Sequence, residues 1–388
     1  MKILFVSTHT NPFSTPINGD AQRTRLLLQA CAQLGEVDVV TFAGNATPDI
    51  ENVRVLHDTP IHSTLCHIGK VQKWLNTLFA DDLQVFFPVD QERGKIIDRF
   101  VQDGSYDCIV SRYIYRTLSC GLWKYRQRLV VDFDDTLPFY FRSLLGANAS
   151  VSARLRNSIL SRRAGRLTKR AVKELKAAFF AEKSAAIANH ATLLPNIPYY
   201  RDTCDDSDFS VPFRRLLFVG QLDYKPNRDG VSHFLEHVYA PLCKLMPSVE
   251  IHIVGLLADQ RIAAQWQSYS GVTLTGYVND LMDEYRDCHV VVAPIYQCGG
   301  TNIKLLEAVA MNRACVTTME AFEKLHGRFE NGKDLFAASN DDEFVEMLVR
   351  LLTDEMENHR IAHNAKATMN DYYSFESFCQ IVKNAIVR

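Results

Sequence analysis

The chain has 388 residues, 47% hydrophobic and 23% charged, a globular composition long enough for two domains of ordinary size. A formal net charge of −2 argues against a nucleic-acid binder. Ten cysteines are scattered without a Cys-x-x-Cys pair, which removes the common zinc and dithiol motifs and is the usage expected of a reduced, cytoplasmic setting.

In chain order, "MKILFVSTHT" opens with an apolar run too short for a signal peptide and predicts a buried strand over 2–7. No apolar run approaches the roughly 20 residues that cross a bilayer. The loop "TNPFSTPINGDAQRTR" (10–25) holds Gly19, Asp20 and Arg23. A glycine there lets backbone N–H groups approach a phosphate, and the length of the loop favours function over a plain connection. Leu26, Leu27, Ala30 and Leu34 then fall on one helical face, ended by Gly35. Strands are predicted over 36–42 and 53–57. Trp74, Leu75, Leu78 and Phe79 suggest a helix whose place in the fold the pattern does not give.

Further strands are predicted over 106–111 and 128–133. Just beyond them stand Arg112 and the group Asp132, Asp134 and Asp135. The three acids resemble a metal cluster, but only Asp134 and Asp135 are adjacent past the strand end. An acceptor contact, or a structural bond to the Arg112 loop, is the stronger reading. Residues 154–176 hold nine basic residues against one acid, with apolar positions interleaved, either a solvated helix face or a segment drawn to an anionic membrane surface.

The stretch 193–213, with three prolines and an acidic patch, reads as a linker. Beyond it the alternation restarts, with strands predicted over 215–220, 249–255, 272–277, 289–294 and 314–318 and helices between them. Such βαβ alternation implies parallel, doubly wound sheets. Ligands of such sheets bind at the carboxyl ends of strands, so two Rossmann-like halves would aim their loops into a cleft. After the strand ending at Pro294, "CGGTNIKLLEAVA" places Gly299, Gly300 and Thr301 at a helix start, with Lys304 and Glu307 one and two turns in. Free N–H groups at a helix start favour phosphate, a lysine adds a point charge, and a glutamate accepts from ribose hydroxyls. The competing reading is a glycine turn followed by a surface ion pair.

Three segments carry a family resemblance: "GGTNIKLLEAVAMNRACVTT", "LLFVGQLDYKPNRDGVSHFLEHVYAPL" and "GYVNDLMDEYRDCHVVVAPIY". Over about 215–325 they resemble glycosyltransferase family 4, retaining sugar transferases of the GT-B fold. "MKILFVSTHT…GDAQRTRLLLQACAQLGEVDVVTF" is similar to that family's first strand, glycine loop and helix. The resemblance implies an α/β GT-B fold with an acceptor-side domain over 1–195, a donor domain over 196–370, and a last helix over 371–388 that returns to the first domain. It implies a nucleoside diphosphate sugar donor, a glycan, lipid-linked or small-molecule acceptor, retention, and neither metal nor cofactor. Donor contacts would come from Gly19, Gly220, Gln221, Gly299, Gly300, Thr301, Asn302 and Ile303. Lys304, Glu307 and Lys225 would serve catalysis, and Asp20, Arg23, Arg112, Asp134 and Asp135 the acceptor side. The sequence departs from the family pattern at Gly299, where an acid is common, and at Gln221, where an arginine is; Lys225 would replace the missing charge. A nucleotide-sugar epimerase and a non-catalytic GT-B-like glycan-binding or scaffold protein are the alternatives. A dinucleotide oxidoreductase is disfavoured, since no Gly-x-Gly-x-x-Gly follows the first strand. The protein would be cytoplasmic or peripheral at a membrane face.

Overall fold

Runs of Val, Ile, Leu and Phe alternate with amphipathic segments, and in the computed structural model the long runs are parallel strands, most of them followed by a helical crossover; Glu36–Thr41 passes to Val53–Asp58 without a helix. The structure describes residues 1–13, 19–60, 70–83 (70–73 by backbone alone), 90–134, 150–198, 214–278, 280–296, 302–325 and 327–387. Two units are separable, one of Met1–Pro195 with Phe375–Arg388, the other Asn196–Ser374.

The first unit runs β1 (Lys2–Ser7), α1 (Gly19–Ala32), β2 (Glu36–Thr41), β3 (Val53–Asp58), α2 (Lys70–Phe79), α3 (Gln91–Asp103), β4 (Cys108–Arg112), α4 (Ile114–Ser119), β5 (Leu129–Asp134), α5 (Val151–Glu174), β6 (Ala177–Phe180), α6 (Lys183–Asn189) and β7 (Thr192–Leu193). Its seven-stranded sheet has the order β3-β2-β1-β4-β5-β6-β7, parallel throughout. β1 and β4 are buried almost end to end, as strands covered on both faces require. Strand order reverses between them, with Val6 beside Ser111, so the loops leaving their carboxyl ends diverge.

The helix suggested by Trp74–Phe79 is α2, and it stands on α5. Leu160, Ala164, Leu167 and Ala171 turn one face of α5 into the core, and Ser150 caps its start by accepting from Ala153 N–H. From the flank of α5, Arg163 donates to the carbonyls of Asn76, Thr77 (2.7 Å) and Ala80, satisfying the C-terminus of α2.

The second unit runs β8 (Arg215–Val219), α7 (Lys225–Phe234), a wide turn Leu235–Tyr239, α8 (Ala240–Leu245), β9 (Glu250–Val254), α9 (Gln260–Gln267), β10 (Val272–Gly276), α10 (Met282–Asp287), β11 (Val290–Ala293), α11 (Ile303–Ala310), β12 (Ala314–Thr318), α12 (Met319–Glu323), β13 (Phe336–Ala338), α13 (Asp341–Thr353) and α14 (Glu355–Tyr372). The sheet order β10-β9-β8-β11-β12-β13 repeats the plan of the first, with the switch between β8 and β11. At Gly230 the helix α7 crosses the end of β11 so closely that a Cβ would lie 2.1 Å from the Pro294 carbonyl oxygen.

After α14 the chain enters α15 (Phe375–Ile386), which belongs to the first unit and packs on α1. Phe378, Val382 and Ile386 are buried there, each contributing roughly 1.5–3 kcal/mol of apolar burial.

Candidate functional site

At the switch point of the second sheet, β8 delivers Phe218 and Gly220, and α11 delivers Lys304 and Glu307. Lys304 lies one residue into the helix, its ammonium 4.7 Å from the centre of the Phe218 ring and donating to Asn227 Oδ1 at 2.8 Å. Gly220 makes this approach available, because a Cβ at that position would lie 3.0 Å from Lys304 Nζ. Asn227, from α7, donates in turn to the Gln221 carbonyl at 2.9 Å, so one amide ties the β8 loop to the lysine. Burial pulls the Lys304 pKa down to about 8, and the negative charge of Glu307 only partly offsets it. Glu307 is itself buried.

Asn302 precedes α11 in extended geometry (φ −81°, ψ 102°), yet its side chain does not cap the helix. Its buried Nδ2 has no hydrogen-bond partner among the described residues. An orphan amide donor, the backbone N–H groups of the first turn from Ile303 onward, and an ammonium held in low dielectric converge at one helix start. That is the donor set of a site for an oxyanion. The strand end before it is fixed as well: Thr317 donates to the Ala293 carbonyl at 2.8 Å, and Thr318 to that of Ile295.

Of the donor-side residues expected from sequence, Gly220, Gln221, Asn302, Ile303, Lys304 and Glu307 come together here. Gly299, Gly300 and Thr301 lie outside the described residues. Lys225 does not join them. It is 74% exposed at the start of α7, and its ammonium pairs with Asp229 one turn on. Asn227, which the sequence reading passed over, holds the position facing Lys304; its only signal was its place seven residues beyond Gly220.

The first domain has its own cluster at the β1/β4 switch. Asp132 is fully buried and receives both Nε and a terminal nitrogen of Arg23, at 2.8 and 2.7 Å, and Nε of Arg112 at 2.9 Å. The remaining nitrogens of Arg112 reach Asp20 Oδ1 at 2.5 Å, Thr24 Oγ1 at 2.7 Å and Asp134 Oδ2 at 2.7 Å. Tyr113 donates its hydroxyl towards Asp20 (2.9 Å) and Asp134 (3.2 Å). His9 Nε2 lies 3.2 Å from Asp20. Burial opposes ionisation of Asp20, but hydrogen bonds from His9 and Thr10 and the charge of Arg112 outweigh it and hold the carboxyl below its usual range. Burial also works against Asp132, and Arg23 and Arg112 overcome it, keeping its carboxyl below its usual range too.

Asp20, Arg23, Arg112 and Asp134 are thus brought together, as α1 opens at Gly19 beside the ends of β4 and β5. Asp135 lies outside the described residues. The structural alternative for Asp134 is the bond seen, to Arg112. Two non-glycine residues of the cluster have positive φ, Tyr113 at 58° and Asp134 at 59°, each a cost of order 1–3 kcal/mol that the surrounding ion pairs must sustain. His9, Tyr113 and the hub role of Asp132 were not read from sequence, because their partners lie up to 109 residues away.

Residues 213–354 match the family described as glycosyl transferases group 1. No curated protein matches the chain in sequence. Among solved structures, sucrose-phosphate synthase from Thermosynechococcus elongatus superposes with a TM-score of 0.69 at 16% identity, covering 99% of this chain and 97% of that one. Anabaena HepE in complex with UDP gives 0.64 at 15% identity, covering 100% of both chains. A mutant of S. aureus TarM, solved in complex with fondaparinux, alpha-GlcNAc-glycerol and UDP, gives 0.57 at 12% identity over 75% of this chain, which spans 58% of that one. The two doubly wound domains are those of the GT-B fold expected from the sequence.

Proposed function

We propose that this protein is a glycosyltransferase that moves a sugar from a nucleoside diphosphate sugar to a carbohydrate or lipid-linked acceptor, with retention and without a metal. The observation that carries the reading is the half-buried Lys304 ammonium, held by Asn227 against Gly220 at the start of α11, beside the Asn302 amide that has no partner among the described residues. The match of residues 213–354 to a glycosyl transferase family, and the UDP bound by similarly folded HepE, support a nucleotide diphosphate there.

In this reading the donor diphosphate lies over the first turn of α11. As the sugar–phosphate bond breaks, negative charge grows on the leaving phosphate, and Lys304 with the α11 amides stabilises it from a fixed, largely dry position. Glu307 accepts hydrogen bonds from donor hydroxyls. The departing phosphate takes the acceptor's proton on the face it leaves, which gives retention without an enzyme nucleophile. Asp20 and Asp134, both bonded to Arg112, accept hydrogen bonds from acceptor hydroxyls at the end of the first sheet.

Thermal shift against UDP, GDP, dTDP, ADP and CMP, with and without EDTA, tests the donor site. One nucleoside diphosphate stabilises the protein in either condition, and Lys304→Met abolishes that shift and lowers sugar transfer by roughly 100- to 1,000-fold with its folding intact. Full turnover in that variant overturns the assignment, and indifference to every nucleotide favours a non-catalytic glycan-binding protein.

A further inference from the structure

We infer that the first domain carries a docking surface for an anionic lipid bilayer, formed jointly by the exposed faces of α2 and α5. Opposite the buried face of α5, Val151, Leu155, Arg162, Arg166, Lys169 and Lys173 recur at helical spacing on one exposed stripe. Over its whole length α5 holds eight basic residues and a single acid, Glu174. Arg166 shares Asp82 with Arg163, and Arg170 pairs with Glu174, whereas Arg162, Lys169 and Lys173 make no ion pair among the described residues.

A cationic stripe alone is the ordinary face of a solvated helix. The apolar residues beside it are what a solvated helix does not explain. Among the described residues, five of the first domain's eight exposed large apolar side chains lie on these two helices: Leu75, Leu78, Phe79, Val151 and Leu155. Phe79 is 79% and Val151 83% exposed. The two helices are fixed to one another at this place. Arg163 of α5 holds the carbonyl of Ala80, the residue after Phe79, and Asp82 receives both Arg163 and Arg166. The apolar tip of α2 therefore stands beside the middle of the cationic stripe.

The occupant must offer both negative charge and a place to bury Phe79 and Leu78. A soluble polyanion neutralises the lysines and arginines but leaves the apolar groups in water. A bilayer with acidic headgroups takes both, the cations at the phosphate level and the apolar side chains at the acyl boundary. The inference does not rest on sugar transfer, since none of these residues belongs to the Lys304 site.

The test is flotation of the full chain with vesicles of phosphatidylcholine alone and vesicles that also contain phosphatidylglycerol. The protein is expected to float only with the acidic vesicles. The triple change Arg162→Glu, Lys169→Glu and Lys173→Glu is expected to weaken partitioning by roughly a hundredfold or more, from about 1 kcal/mol per basic residue near the headgroups. Phe79→Ser with Leu78→Ser is expected to weaken it about tenfold and to make the remainder more salt-sensitive. Circular dichroism and the nucleotide-induced thermal shift, unchanged in both variants, separate a lost surface from a lost fold and from failure of the donor site. Equal flotation with both vesicle types overturns the inference. So does wild-type affinity in the Phe79/Leu78 variant together with equally tight binding to soluble polyphosphate, which identifies a polyanion surface instead.

Discussion

Lys304 is a charged group kept where charge is disfavoured. Its pKa, about 8 instead of 10.5, lies below the unfolded value, so at neutral pH its ionisation opposes folding, and stability rises as pH climbs through the interval between the two. Ligand binding has the opposite dependence, because a diphosphate needs the ammonium. Affinity for the stabilising nucleoside diphosphate is expected to fall as pH rises above about 8, and binding near that pH to take up a proton. Calorimetry in two buffers of different ionisation enthalpy measures that proton, and Lys304→Met should remove it. Asp132 makes the converse case in the first domain. Asp132→Asn leaves Arg23 and Arg112 buried with too little negative charge between them and should cost about 3–5 kcal/mol, read as a drop in denaturant midpoint. A smaller loss would mean that Asp20 and Asp134 suffice.

Among the elements, close packing at the switch points sets what can change. Gly230→Ala drives a methyl group towards the Pro294 carbonyl, so α7 must move off the end of β11. An expected loss of about 1–3 kcal/mol in urea unfolding checks this, accompanied by weaker nucleotide binding because Asn227 rides on the same helix. The strands that flank the switch points, β1, β4, β8 and β11, were legible because strands covered on both faces are nearly pure apolar runs. The short strands β6, β7 and β13 were not, since runs of two to four residues carry no period to read. The reading of 193–213 as a linker misses that Leu193 ends β7 and that Leu194 and Ile197 are buried. At the site, Lys304 and Glu307 could be found because a helix start is a local signal, and Gly220 only through the resemblance of the segment that holds it. The Arg23–Asp132 pairing could not, because nothing in either neighbourhood points to the other. Positive φ at Tyr113 was likewise hidden, as a tyrosine does not advertise it, and at Asp134 the residue type is only a weak signal.

At the scale of the molecule, two sheets of the same strand order each present a polar cluster where that order reverses, one organised around a buried carboxylate and the other around a half-buried ammonium. The first unit is interrupted: it leaves off at Pro195 and is completed only by residues 375–388, after the whole of the second. During synthesis, α1 and its neighbours emerge long before the helix that covers them. At about 5–20 residues per second, the intervening stretch of about 180 residues takes roughly 10–40 s to appear. Throughout that interval the nascent first domain exposes the apolar seat of Phe378, Val382 and Ile386, while the second can already fold behind it. The later-made unit is thus free to mature first, and the ribosome-bound chain offers chaperones one defined sticky patch until α15 arrives.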